Sequence, residues 1–221
     1  MPHPHDLLAE LTALGAHPDG ARTVAHAVAT DLAGPDRHYH SIDHVRAVLD
    51  EIDRLLPHEP TAHAAAVRLA AWFHDVVYDP TTGAGVDEAA SAARARAELA
   101  SLGLDATIAD EVARLVLLTA GHRVEPTDRS GAVLVDADLA VLASPPADYD
   151  RYAAAVRLEY ALVPDETWAV GRAAVLTTFL DQLDACFTAG PADDRARRRT
   201  ATRANLLRER ATLTAGDGPA G

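Results

Sequence analysis

The sequence predicts an all-α protein that folds as a single-domain helical bundle of roughly ten helices. Three observations support this class. Apolar residues recur at intervals of three and four along most of the chain, which is the helical period. Apolar residues make up 48% of the chain and aromatic residues only 5%, so the core must consist mainly of Ala, Leu and Val, which favour closely packed helices. No segment has the alternating pattern of a convincing β-strand.

The helical period is clearest between residues 41 and 56. There Ile42, Val45, Val48 and Ile52 recur at intervals of three and four behind Ser41, a residue type that caps helix N-termini. The same pattern predicts the other helices near residues 6–15, 20–33, 61–75, 86–102, 105–120, 132–143, 147–162, 166–189 and 193–212.

Turn-forming residues separate these helices. Gly, Pro and Asp cluster at residues 15–20, 34–36, 57–60, 79–85 and 145–146, and each cluster is too short to be a linker between domains. A chain of 221 residues suffices for one well-buried core. We therefore predict one helical domain over residues 1–213, with its core at about 37–205, followed by a flexible C-terminal tail at 214–221.

Charge and composition exclude several classes of protein. The net charge of −13, from 33 acidic and 20 basic residues, would repel a nucleic-acid backbone. The single cysteine, Cys186, excludes an internal disulfide framework and fits a reducing compartment. Neither a secretion signal nor an apolar stretch long enough to span a membrane is visible. We expect a cytoplasmic protein with no nucleic-acid or membrane partner; a homodimer is compatible with the sequence.

Four side chains from three separate segments have the character of metal ligands. His74 and Asp75 stand together at the end of an apolar predicted helix, where both would be costly to bury without a partner. His44 lies 30 residues earlier, and an antiparallel arrangement of the two helices would turn its imidazole toward His74. Downstream, Asp136 and Asp138 place two carboxylates in an otherwise apolar run. Something positively charged should therefore lie beside them.

Two imidazoles and two carboxylates, with positions left open for water, suit one divalent transition metal: manganese, iron, cobalt, nickel or zinc. Calcium would prefer more oxygen ligands, and structural zinc more often uses sulfur.

The order His44, then His74-Asp75, then a late aspartate resembles the HD superfamily of metal-dependent phosphohydrolases. The resemblance extends from about residue 37 to residue 205 and is closest to a bacterial subgroup of predicted HD phosphohydrolases. Its segments are RHYHSIDH at 37–44, AWFHDVVYD at 71–79, DEAAS at 87–91, TAGH at 119–122, DADL at 136–139 and RLEY at 157–160.

This resemblance implies an HD-type domain that hydrolyses a phosphate ester or anhydride of a small molecule, such as a nucleotide or a related metabolite, with metal-activated water. It implies His44, His74, Asp75 and one late aspartate as the metal ligands. The family's ligand usually follows a small residue, which favours Asp138 over Asp136. Asp136 would then stand behind the ligands or face the substrate.

Three further residues are candidates for the chemistry. Asp79 and Glu88 could orient or deprotonate the attacking water, although a turn aspartate and a first-turn helical glutamate are equally ordinary structural features. His122 could donate to a phosphate, support the metal ligands or belong to a second metal site.

A phosphate brings negative charge into an acidic site, so the substrate requires a guanidinium besides the metal. Arg37, Arg157 and Arg172 are candidates, with surface ion pairs as the alternative for each. His40 precedes His44 by four residues and should face the same cleft.

Two other functions remain open at this stage. Some HD proteins hold two irons and activate oxygen, so an HD-type di-iron oxygenase is one alternative. A catalytically silent metal-containing module that binds a nucleotide is the other.

Overall fold

The computed structural model describes residues 5–215, and within them lie ten α-helices, three short 3-10 helices and no strand. The prediction of an all-α bundle is confirmed. The α-helices are α1 (Leu7–Ala13), α2 (Pro18–Leu32), α3 (Ile42–Leu55), α4 (Ala64–Phe73), α5 (Val86–Ser101), α6 (Ala106–Leu118), α7 (Arg129–Asp138), α8 (Pro146–Glu159), α9 (Asp165–Gln182) and α10 (Ala192–Ala215).

Helices α1 to α7 enclose the larger of two hydrophobic clusters. At its centre lies α4, which packs against α1, α3, α5, α6 and α7. Seven of the ten residues of α4 are buried, among them Leu69 and Phe73, and its alanines allow the neighbouring helices to approach closely. The end of α4 is therefore fixed deep in the protein, and this is where His74 and Asp75 follow.

The smaller cluster joins the end of α7 to α8, α9 and α10. Tyr149, Leu176, Phe187 and Leu206 are its buried centre. Buried polar contacts supplement this core: the Asn205 side chain donates to the main-chain carbonyls of residues 142 and 144 at 3.0 and 2.9 Å. These helices pack beside the end of α7 and the 3-10 helix that follows it.

Helix α7 differs from its predicted span of 132–143 at both ends. It begins at Arg129 because the Asp128 carboxylate accepts a hydrogen bond from the Gly131 amide at 2.9 Å and caps the first turn. The α-helix ends at Asp138, and residues 139–143 continue as a 3-10 helix. The late aspartates thus lie in the last turn of α7.

The predicted helix at 166–189 is wrong over its final residues, because α9 ends at Gln182. The following chain turns around the buried carboxylate of Asp136, which accepts hydrogen bonds from the amides of residues 187, 188 and 189. Phe187 has a positive φ of 53°, which no continuous helix allows. Cys186 is buried in this turn, as expected for a core residue.

At the C-terminus, α10 continues to Ala215, so residues 214 and 215 of the predicted flexible tail are helical. The rest of that predicted tail, residues 216–221, lies outside the described residues. None of the helices in the described part of the chain combines the length and apolar character needed to cross a membrane.

Candidate metal centre

Three helix ends bring the predicted ligands together. His44 is the third residue of α3, His74 and Asp75 directly follow α4, and Asp138 ends α7. The two histidines are 8% and 2% exposed, so both imidazoles are shielded from bulk water. The packing of these three helices in the larger cluster therefore holds the four side chains in place.

The ring nitrogen of His74 that faces its neighbours is Nε2. Its other nitrogen, Nδ1, lies 2.8 Å from the main-chain carbonyl oxygen of Ala71. Because a carbonyl only accepts, Nδ1 must carry the proton. In the neutral ring the lone pair is then on Nε2, which is the tautomer that a metal requires.

The atoms around His44 and His74 are spaced like ligands of one ion. The Nε2 atoms of His44 and His74 are 3.1 Å apart. Asp75 Oδ2 lies 3.5 and 3.0 Å from these two nitrogens, and Asp138 Oδ1 lies 3.1 and 3.5 Å from them. Two atoms that are each about 2.1 Å from a transition metal are about 3.0 to 3.4 Å apart at usual ligand angles. The ligand atoms of His44, His74 and Asp75 all lie within 4.8 Å of one another, so these three residues fit one ion; Asp138 contacts both imidazoles but is not part of this three-residue set.

One buried polar atom of the cluster lacks a hydrogen bond. Asp75 Oδ2 is inaccessible to water and, despite its nearness to two imidazoles, has no hydrogen bond of acceptable geometry. An unsatisfied buried carboxylate oxygen is costly, so such a group calls for a missing partner. A divalent cation between Asp75 and the two histidines would be that partner.

Electrostatics indicate the same need for positive charge. Burial alone would lower the pKa of His74, but Asp75 and Asp138 outweigh this effect and raise it well above its usual value. Burial likewise opposes ionisation of the two carboxyls, yet the surrounding imidazoles lower the pKa of both Asp75 and Asp138. Without a metal, a proton on an imidazole supplies part of the charge that two buried carboxylates require.

The two late aspartates point in different directions. Asp138 lies beside His44 and His74, whereas Asp136 Oδ2 accepts from the Ala189 amide at 2.6 Å. Residues two apart on a helix are about 200° apart around its axis, so α7 directs one carboxylate to each side. Burial raises the pKa of Asp136 to about 6, against the opposing hydrogen bonds from the 187–189 amides. Asp136 thus organises the turn before α10 and does not join the ligand cluster.

His122 contacts the cluster from the loop after α6. Its Nε2 lies 2.9 Å from Asp138 Oδ2, the carboxylate oxygen that is turned away from His44. Its φ of 52° is unusual for a residue with a side chain. Such backbone strain is tolerated where the side chain must reach a particular place. His122 therefore orients Asp138 and also faces the adjoining cavity.

His40 belongs to a second set of contacts, centred on Glu159 at the end of α8. One oxygen of Glu159 accepts from the main-chain amides of residues 38, 39 and 40 at 2.7 to 2.9 Å. The other contacts His40 Nδ1 at 2.7 Å and the Tyr78 hydroxyl at 2.9 Å. Opposing the effect of burial, these donors lower the pKa of Glu159 to about 2. Glu159 thus anchors both loops that lead to the metal-ligand cluster.

Arg37 contacts the backbone that adjoins the cluster. Its guanidinium donates to the main-chain carbonyls of His40 at 2.8 Å, Asp75 at 2.6 Å and Val76 at 3.0 Å. These bonds fix the backbone that carries Asp75. Because the guanidinium is already hydrogen-bonded to the protein, Arg37 is poorly suited to bind a substrate phosphate.

Within the described residues, neither Asp79 nor Glu88 forms a hydrogen bond or an ion pair with the metal-ligand cluster. Asp79 is exposed, and its carboxylate accepts from the Thr81 amide and hydroxyl at 2.8 and 2.7 Å, which lowers its pKa. This is the turn role that the sequence left open for it. Glu88 lies half-buried in the first turn of α5.

The remaining arginine candidates differ from each other. Arg157 donates to two carbonyls of the loop after α8 and to the exposed Asp165. Arg172, only 7% exposed, pairs with Glu209 at 2.8 Å and donates to the Tyr152 hydroxyl at 3.2 Å. Only Arg172 lines the cavity beside the metal-ligand cluster.

That cavity has a volume of about 480 Å³ and reaches Asp138, His122 and His40 at one end. Helices α8 and α9 and the segment between them supply more than half of its lining residues, including Tyr152 and Trp168. The metal-ligand cluster thus adjoins a partly open cavity of the size used for small organic ligands.

Sequence reasoning did not select Glu159, Tyr152 or Glu209 as site residues. Glu159 lies inside the quoted RLEY segment, and its position at a helix end offered a weak signal. No local pattern marks Tyr152 or Glu209, because their partners come from helices that are distant along the chain.

Comparisons of the chain with protein-family models, with curated proteins and with solved structures find no match.

Proposed function

We propose that this protein is a metal-dependent phosphohydrolase of the HD superfamily that acts on a small phosphorylated molecule. The observation that supports this most strongly is that His44 Nε2 and His74 Nε2 lie 3.1 Å apart and that each is 3.0 to 3.5 Å from a carboxylate oxygen of Asp75 and of Asp138. The ordered sequence motif around those residues adds the resemblance to the superfamily.

A divalent manganese, iron, cobalt, nickel or zinc ion, when bound, would supply Lewis-acid activation of water and of the phosphate. The chain's own groups would orient the ligands and donate a hydrogen bond to the phosphate. The Ala71 carbonyl keeps the His74 lone pair on Nε2, and His122 fixes the orientation of Asp138. Glu159 holds His40 through Nδ1, which leaves Nε2 of His40 available to donate to a phosphate oxygen.

In the proposed reaction, the oxygen of a water molecule bonds to phosphorus while the bond from phosphorus to the leaving oxygen breaks. One proton of that water passes to the leaving oxygen, so the products are an alcohol and inorganic phosphate. Asp79, exposed and bonded to Thr81, has contacts that suit a turn better than this proton transfer.

The test combines metal content with turnover. Purified wild-type protein is loaded with each of the five metals, and bound metal and hydrolysis of p-nitrophenyl phosphate are measured for it and for His74→Ala and Asp75→Asn. We expect about one ion per wild-type chain and loss of both metal and activity in the two variants. The matched control is Asp43→Asn, since Asp43 adjoins His44 but is 85% exposed and paired with Arg46.

Asp43→Asn should retain both properties, and circular dichroism verifies that all variants remain helical. Hydrolysis by metal-free wild-type protein would contradict the proposal. Two irons per chain in anaerobically prepared protein, together with oxygen consumption, would instead favour the oxidative alternative.

A further inference from the structure

The wall of the cavity beside the metal-ligand cluster is mainly hydrocarbon. Leu142, Val156 and Val175 contribute aliphatic groups, and Trp168 and Phe179 contribute aromatic rings. A surface of this kind gains free energy by removing apolar ligand atoms from water, and it offers little to a strongly hydrated group. The cavity is thus suited to the organic part of a ligand.

Permanent positive charge in this wall is limited to one residue. Of the residues that line the cavity, all of them within the described chain, Arg172 alone is an arginine or lysine. Its guanidinium is bonded to Glu209 at 2.8 and 3.1 Å, and the carboxylate neutralises it. A polyphosphate chain would enter this space without a compensating cation.

The charge of the proposed metal centre also disfavours a ligand with several phosphate groups. This step rests on the proposed function. Two neutral imidazoles with the carboxylates of Asp75 and Asp138 would bring a divalent ion to a formal charge of zero. His40, held by Glu159, could add one positive charge at most. One phosphate group can be accommodated by such a centre, whereas a triphosphate carries several further charges.

We infer that the cavity selects monoesters of a single phosphate whose alcohol part is an apolar aryl or branched alkyl group. The phosphate would lie toward Asp138 and His122, and the apolar group would lie between α8 and α9 against Trp168. A volume of about 480 Å³ is within the usual range for a ligand of that size.

Gly171 offers a way to fill the cavity without disturbing the backbone. It lines the space on α9, and a Cβ built there meets no atom within 4 Å. Gly171→Phe should therefore occupy the room of an aryl group. The matched control is Ala174→Phe, which puts the same ring on the exposed side of α9, outside the cavity lining.

The experiment measures binding of benzylphosphonate, methylphosphonate and inorganic triphosphate to metal-loaded protein by calorimetry. These phosphonates are not hydrolysed, so the readout does not depend on turnover. Burial of the phenyl ring predicts that benzylphosphonate binds the wild type about 10-fold to 100-fold more tightly than methylphosphonate. Gly171→Phe should reduce this ratio to near one, while Ala174→Phe should keep it.

The remaining outcomes separate the two proposals. Equal affinity for the two phosphonates, or tightest binding of triphosphate, would overturn the inference about the cavity. Preferential benzylphosphonate binding without hydrolysis of benzyl phosphate would support the cavity inference and contradict the proposed function. Faster hydrolysis of nucleoside triphosphates than of benzyl phosphate would overturn the cavity inference and leave the phosphohydrolase proposal intact.

Discussion

Helices α1–α7 and helices α8–α10 are stabilised in different ways. The first group buries the larger set of aliphatic side chains. The second has a smaller apolar cluster and depends on buried polar partners such as Arg172 with Glu209 and Asn205 with two carbonyls. The metal-ligand cluster lies in the first group, and the second, with the segment that joins α8 to α9, supplies more than half of the residues that line the cavity. The comparison indicates that the metal-ligand cluster and the cavity wall can be altered separately.

The largest expected effect concerns the buried ion pair of the second group. Arg172 and Glu209 have side chains only 7% and 11% exposed, and Glu209 also accepts from the Tyr149 hydroxyl. Glu209→Ala leaves a buried guanidinium unpaired, so it should lower the free energy of unfolding by about 3 to 5 kcal/mol. Urea unfolding monitored by circular dichroism measures this loss. The double variant Arg172→Met with Glu209→Leu should recover much of it; no recovery would mean that the charge was not the cause.

The corresponding test in the first group shortens a buried core side chain. Leu49 on α3 is fully buried, and Leu49→Ala should cost about 2 to 5 kcal/mol through lost apolar burial and a residual cavity. The same urea titration gives the value, and Leu162→Ala is the control because Leu162 is 93% exposed. If the two leucine variants lost similar stability, the assignment of the core would be contradicted.

The contact between the groups through Glu159 should depend on pH. Its folded pKa of about 2 lies below the ordinary 4.5, so the ionised carboxylate stabilises the fold above pH 4.5. This contribution is lost as the pH falls from 4.5 to 2. The shift corresponds to about 3 kcal/mol, and Glu159→Gln should cost about that amount at pH 6.

Unfolding of wild type and Glu159→Gln by urea at pH 6 and at pH 3 gives the difference directly. We expect the gap between them to shrink at pH 3, where the advantage of the carboxylate is fading. A gap that stays constant between the two pH values would show that the charge of Glu159 is irrelevant to stability.

The smallest effect is expected for an exposed ion pair of the first group. Arg96 on α5 and Asp110 on α6 are 2.7 Å apart, but their side chains are 55% and 65% exposed. Arg96→Ala should change the free energy of unfolding by less than about 1 kcal/mol, and high salt should remove the difference. A loss as large as that of Glu209→Ala would refute the contrast between exposed and buried pairs.

The same contrast explains what the sequence could predict. The aliphatic period of α3 and the apolar run ending at His74-Asp75 placed the predicted ligands at helix ends, because burial imposes a regular pattern on helices of the first group. In the second group the pattern weakens: α9 buries only Arg172 and Leu176. The sequence did not predict the end of α9 at Gln182, because the turn that follows depends on Asp136, 46 residues earlier. The Asp136 carboxylate accepts hydrogen bonds from the amides of residues 187–189, and only folding brings these groups together. The residues near Gln182 in sequence therefore give no signal of this distant hydrogen-bond partner.

A metal ion that satisfied the unpaired oxygen of Asp75 would link the supply of metal ions to the lifetime of the folded chain. An ion that binds only the native state at a concentration about 100 times its Kd adds about 2.7 kcal/mol of stability. That amount would lower the unfolded population about 100-fold, and with it the share of molecules open to proteases. In a metal-poor cell the protein would then be removed faster, and its abundance would follow metal availability without any change in its synthesis.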